Sequence, residues 1–372
     1  MSTVIRATDS AEFLGIVPLL AGFTPRRSIV ILPFQGSRTH GAMRIDLPRD
    51  GIPLDRYADS AIGLVSRVSG TEAVAVVAYV DDPVQSTPDG LVLPYAVALD
   101  ELLGCAEDAG LRIVDALCVT PDGWASYLEA EPALHPAAPV HAGPVPGVGD
   151  VSGDQQSGTE LPRIDLAEKE RVGGALRDLS DLLDRPGAVR DERVNPEALA
   201  AAAMLDDIPA FYELVLDARG EMPPFAVAAL LWCLERPAYR DVALLQWAAG
   251  HAVGTQALGA QLDFAQRGRS LPDDLGDIFL GHGATPDADR LQFALDIVRS
   301  AAAKAPRAAR PAPLTAAAWL SWALGRSSHA GHYLDTVSEI DPEYGLAALL
   351  GSMIDAAVLP EWTFRRTAGR TT

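Results

Sequence analysis

Apolar positions change their spacing along this chain, and the change divides it into an alternating part and a helical part. Phe13, Ile16, Val17 and Leu20 recur on one helical face and predict a first helix. SIVILPF (28–34) and THGAMRIDLP (39–48) then predict two strands around the turn QGSR. Tyr57, Ala61, Leu64, Val65 and Val68 return to the helical period, and AVAVVAYV (73–80) is a continuous apolar run of the kind a strand covered on both faces carries. A helix over 94–110, marked by Tyr95, Leu99, Leu102, Leu103 and Ala106, leads to the strand RIVDALCVT, and GWASYLE pairs with it after a turn at 121–123. Strand, helix and strand in this order predict a mixed α/β sheet over residues 1–130.

Residues 131–162 break the pattern. They hold no lysine or arginine, six prolines, and glycines throughout their second half, too little apolar surface to offset the entropy of ordering. A linker or mobile loop is expected there. Beyond it, 163–185, 196–219, 223–235, 238–268, 287–304, 313–325, 329–340 and 343–357 all carry helical spacing, with Pro or Gly at most joins. The expected architecture is α+β or α/β: a mixed sheet domain, a Pro/Gly-rich join, and an all-α domain over 163–372 with a repeat-like hairpin near 313–357.

At 372 residues, two domains can each bury a core without staples. Cys105, Cys118 and Cys233 are far apart, lack any paired metal spacing, and predict reduced core thiols. Asp9 and Glu12 stand where a signal peptide would need an apolar run, so a cytoplasmic protein outside the membrane is expected. The net charge of -20 argues against nonspecific nucleic-acid binding. One stretch departs from the acidic balance: Val298 to Leu334 carries Arg299, Lys304, Arg307, Arg310 and Arg326 with no acid.

Several segments together resemble a family catalogued as domain of unknown function 4192, known from high-GC Gram-positive bacteria. They are EFLGIVPLLAGFTPRRSIVIL with Pro18, Gly22, Phe23, Pro25 and Ser28 in order, RIDLP at 44–48, GWASYL, YRDVALLQ, and AAWLSWALG through DPEYGLAALL to Pro360. The resemblance spans nearly the whole chain. It implies the two-part layout and cytoplasmic placement, and supplies no activity. Where many relatives carry Cys-Cys-Pro after the WxSY element, Leu134, His135 and Pro136 stand here, and Ser327 replaces a second glycine near Gly325.

Candidate chemistry is sparse. His329 and His332, with Asp335, have a metal-ligand spacing, but three-residue steps drift around a helix and no distant cluster completes the set, so no metal site is expected. Gly325, Ala330 and Pro342 have the spacing of a tetratricopeptide hairpin, though a shift of roughly 34 residues finds no second copy. Arg240 and Asp241 open a helix as a pair that serves either its dipole or a binding cleft. Asp81 and Asp82 follow the buried strand, and Asp122 exits on the same edge if the two central strands run parallel; these carboxylates either hold Mg²⁺ beside a phosphate or simply open loops. Phosphate-loop, serine-elbow and zincin patterns are missing from the sequence. The favoured reading is a non-catalytic module that binds an unidentified cytoplasmic protein through Trp319, Trp322, Arg307 and Arg310, without a cofactor. The alternative is an Mg-assisted hydrolase or a nucleotide- or phosphate-binding protein using the strand-end carboxylates.

Overall fold

A computed structural model of the chain describes residues 6–39, 41–88, 90–137, 151–185, 194–218 and 222–365. It divides into two compact units, with the boundary between Gly158 and Thr159 and again between Thr363 and Phe364. The architecture is an α/β sheet followed by helices, as the change of period predicts.

In the first unit, α1 (Ser10–Ala21) precedes β1 (Ser28–Gln35), β2 (Arg38–Thr39) and β3 (Met43–Asp46). Then come α2 (Leu54–Ser66), β4 (Ala73–Tyr79), the small pair β5 (Gln85–Thr87) and β6 (Gly90–Val92), and α3 (Ala96–Asp108). The unit's last two strands are β7 (Arg112–Thr120) and β8 (Gly123–Ser126). The sheet order is β2-β1-β4-β7-β8, with β3 also on β1. Only β4 and β7, joined through α3, are parallel; β1 runs antiparallel to β4, with Ser28 opposite Tyr79. The single strand expected over 39–48 is two short ones, β2 on the end of β1 and β3 on its first half.

Successive strand residues point to opposite faces, and both faces are covered. Ile29, Ile31, Val74, Val76 and Ala78 pack in one cluster with residues of α2 and α3. Val30, Leu32, Ala75, Val77 and Tyr79 face the other way, onto Leu14 and Val17 of α1. Each fully buried aliphatic chain contributes about 1.5–3 kcal/mol, which is why β4 has no polar position before its last residue. Asp9 caps α1 by accepting from the Glu12 N–H, and the Ser10 hydroxyl donates to Asp115 of β7 at 2.7 Å.

Of the Pro/Gly-rich segment, 138–150 lie outside the described residues. Residues 135, 151 and 153 are tied into the first unit: His135 exchanges backbone hydrogen bonds with Trp124, and Thr24 donates its N–H to Gly153 and its hydroxyl to Val151, while the segment from Thr159 on belongs to the second unit.

The second unit begins with α4 (Leu166–Asp184). The helix expected over 196–219 is two, α5 (Pro196–Met204) and α6 (Ile208–Asp217), because Asp207 caps a new start and Pro209 fits only a first turn. After α7 (Pro224–Leu234), the helix expected over 238–268 divides at Gly250, where φ is 93°, into α8 (Pro237–Ala249) and α9 (His251–Arg267). A short α10 (Asp273–Phe279), unmarked by the apolar spacing, precedes α11 (Ala288–Lys304), α12 (Pro311–Ala323), α13 (Ser327–Ser338) and α14 (Gly345–Asp355). Gly325 is left-handed between α12 and α13, and Ala330 is buried. No helix among the described residues is long and apolar enough to cross a membrane.

Candidate functional site

The parallel pair fixes one edge of the sheet as the place where β4 and β7 both end. Because β1 runs opposite to β4, the chain entering β1 arrives at that same edge. Thr24, Arg26 and Arg27 therefore stand beside Tyr79, Asp81 and Thr120, and together they line a cavity of about 280 Å³. Leu14 and Pro18 of α1, Val119 and Trp124 supply apolar walls. Open α/β sheets bind ligands beyond the carboxyl ends of their strands, and the cavity lies there.

Three features show how this edge is built. Arg27 is a non-glycine residue held at φ 44°, a left-handed conformation that costs free energy and persists where its surroundings impose it. Part of that constraint comes from Gln155, which accepts from the Arg26 N–H at 3.1 Å and donates to the Arg26 carbonyl at 2.9 Å. The second feature is the wall at Trp124, whose ring stacks on His135 with centroids 4.4 Å apart. Gly123 makes this approach possible, since a Cβ there would lie 2.0 Å from the His135 carbonyl oxygen.

The third feature is a pair of orphaned hydroxyls. Tyr79 is 9% exposed and Ser28 fully buried, and neither hydroxyl has a hydrogen-bond partner. They face each other across β1 and β4, on the α1 side of the sheet. Burial raises the Tyr79 pKa well above the usual phenol range, so Tyr79 stays a neutral donor at any physiological pH. Buried polar groups are nearly always paired, and Tyr79 is the one described residue that combines an unpaired buried hydroxyl with a place in the cavity lining.

The predicted site residues fare unequally. Asp81 lines the cavity and lies 3.9 Å from Arg27. Asp82 and Asp122 are exposed and do not line it; the Asp122 N–H donates to the Thr120 hydroxyl within the β7–β8 turn. Among the described residues no three His, Cys, Asp or Glu side chains are grouped as metal ligands, and of the alternative trio Asp81, Asp82 and Asp122 the cavity takes in only Asp81.

Trp319 and Trp322 are 0% and 1% exposed, with their indole N–H groups donating to the carbonyls of Phe279 and Val358. They are core residues of the second unit, which corrects their expected place on a surface. Arg307 donates to the Glu339 carbonyl at the end of α13, and Arg310 to the Ala305 carbonyl at the end of α11. Arg240 binds Asp241 at 2.8 Å and reaches the Tyr344 hydroxyl, which ties α8 to the start of α14. Burial raises the Asp241 pKa, with Arg240 opposing it. His329 is pushed down to about 4 by burial and then by Arg326 and Arg299, surroundings that disfavour any added cation.

A larger cavity of about 690 Å³ lies among α5, α6 and α7, walled by Met204, Phe211, Leu214 and Phe225. It lacks a converging set of polar groups: Glu197 and Asp217 are the charged residues in its lining, and no cation accompanies them. The smaller cavity is the better site because its polar groups are placed and unfilled.

Arg26, Arg27 and Tyr79 were not singled out by sequence reasoning. Two arginines directly before a strand, and one polar tip ending an aliphatic strand, were the signals available. Pro18 and Pro25, and Gly123 and Trp124 of GWASYL, all line the cavity, so two stretches that carry the family resemblance meet in it. No curated protein and no solved structure matches the chain. The family model for the domain of unknown function (DUF4192) matches residues 11–263 and 274–361, and the chain belongs to that family.

Proposed function

We propose that the α/β unit is a binding module for a small anionic ligand, held at the shared edge of β4 and β7. The observation that carries this is the cavity at that edge, lined by Arg26 and Arg27, with the partnerless hydroxyl of Tyr79 buried in its wall. Two guanidinium groups supply charge and directed donors at the mouth, a neutral phenol stands in the wall, and apolar side chains complete the lining. The phosphate-binding half of the alternative reading survives in this form, with arginines in place of metal-bound carboxylates. Asp81 is the one carboxylate lining the cavity, and it lies 3.9 Å from Arg27.

The interaction reading keeps one exposed arginine, Arg307, and loses its aromatic anchors to the core. Three free cysteines accord with a cytoplasmic setting. The test is a thermal-shift panel of small carboxylates and phosphate monoesters on the full chain. Binding ligands raise the melting temperature by mass action. The Arg26→Ala/Arg27→Ala double variant, altered only at exposed side chains, should melt like the parent and lose that rise. A rise that persists in the double variant places the ligand elsewhere and ends the proposal.

A further inference from the structure

The cavity mouth carries both signs of charge. Arg27 Nε and Asp81 Oδ2 are 3.9 Å apart, beyond the 2.7–2.9 Å of a closed charge-assisted hydrogen bond. Both side chains are largely in water, 77% and 72% exposed, so their mutual attraction is weak and the pair opens at little cost. A ligand that offered only negative charge would compete with Asp81 for Arg27 and then sit beside an unpaired carboxylate. One that carried an anion and a cation on neighbouring atoms would replace the pair with two contacts. Behind the mouth the walls are apolar: Leu14, Pro18, Val119 and Trp124. The volume, about 280 Å³, stands at the lower end of the roughly 300–1,000 Å³ of ligand pockets, too small for a dinucleotide.

Resting on the anion-binding reading of this same cavity, we propose that its ligand is a free α-amino acid with an apolar side chain. Arg27 takes the carboxylate, Asp81 takes the ammonium group, and the side chain lies against Leu14, Pro18 and Trp124. On binding, Tyr79 turns its buried, unpaired hydroxyl to the carboxylate as a third contact. Asp81 is then a specificity-determining residue: it admits zwitterions and rejects simple acids of the same shape.

The discriminating pair of probes is L-phenylalanine and hydrocinnamate, which share the body and the carboxylate and differ by the ammonium group; L-leucine and isocaproate form a second pair. Calorimetric titration of the full chain should favour each amino acid over its deaminated partner by about tenfold or more. In Asp81→Asn the preference should invert. The amino acid weakens by about tenfold for want of its ammonium partner, and the acid tightens because Arg27 no longer has a competitor. Asp81 is exposed, and an unchanged melting temperature of the variant verifies its fold. An acid that binds the parent chain as well as the amino acid, or an Asp81→Asn variant that weakens both alike, overturns the proposal. If the acids bind through Arg26 and Arg27 while the amino acids do not, the zwitterion proposal fails and the anion reading stands. If neither pair binds, the zwitterion proposal fails, and a silent phosphate panel would take the anion reading with it.

Discussion

Removing the Tyr79 hydroxyl is a small perturbation whose sign separates a ligand-binding group from a core tyrosine. Tyr→Phe at a paired hydroxyl ordinarily costs about 0.5–1.5 kcal/mol, the net worth of one hydrogen bond. Tyr79 is 9% exposed and its hydroxyl has no partner, so the free protein already bears the cost of an unmade bond, about 1–3 kcal/mol. Phenylalanine keeps the ring against Leu14, Val17 and Val77 and removes that cost. Tyr79→Phe should therefore stabilise the unliganded α/β unit by about 1 kcal/mol, a rise of about 2–4 °C for a unit of this size. Differential scanning calorimetry of the full chain, which resolves the two units if they melt separately, measures it. Once a ligand accepts from the hydroxyl the sign reverses: the variant loses about 1 kcal/mol of binding, or about fivefold in affinity. A variant that is destabilised without ligand by about 1 kcal/mol would refute the reasoning, since the hydroxyl would then have a partner in the free protein.

Two further predictions concern structure that positions the site and structure that does not. Gly123→Ala forces a Cβ to within 2.0 Å of the His135 carbonyl at a backbone φ of 147°, so it should destabilise the α/β unit by about 1–3 kcal/mol and weaken ligand binding through the displaced Trp124 wall; unchanged melting and affinity would show that the backbone at His135 yields freely. In the helical unit, Lys304 is 4% exposed with its ammonium 3.5 Å from Glu168, and Glu168→Gln strands that charge at a cost of about 3 kcal/mol, the low end for a buried pair because Glu168 is partly solvated. The Glu168 pKa is lowered, by Arg171 first and Lys304 after burial's opposing effect, so this stabilisation is full above the unfolded carboxylate pKa and is lost as pH falls through the folded one. Urea unfolding should show parent and Glu168→Gln converging at acid pH and parting toward neutrality; a constant gap would assign the loss to packing.

Much of the fold was legible because burial enforces period. β4 is aliphatic at every position to Tyr79 because α1 covers one face and α2 with α3 the other, and that continuous run is visible in one dimension. The division of the later helices was less visible because apolar spacing continues across a break. Asp207 with Pro209, and Gly250, interrupt the backbone without interrupting the hydrophobic pattern, and only cap chemistry marks them. The β5–β6 pair was missed because its residues are largely exposed, leaving only the turn residues around Gly90 as a signal.

The site divides along the same physical line. The rule for open sheets led from sequence to the edge that holds the smaller cavity and to Asp81 in its lining, because strand direction follows from a strand–helix–strand unit. It could not lead to Arg26, Arg27 or Tyr79, whose meeting depends on β1 running antiparallel to β4 in a register that sets Ser28 opposite Tyr79. Spacing along a chain does not encode that pairing. The opposite error arose at Trp319 and Trp322, where neighbouring arginines suggested an interface. Every residue of α12 is buried, and PAPLTAAAWLSWA offers only Thr315 and Ser321 as polar positions. A helix apolar on all sides has no face to give a partner, so its tryptophans belong to the core whatever charges flank it. Aromatic residues mark a functional surface only where the period leaves one side open, and in this chain Trp124, at the end of a sheet, meets that condition while Trp319 and Trp322 do not.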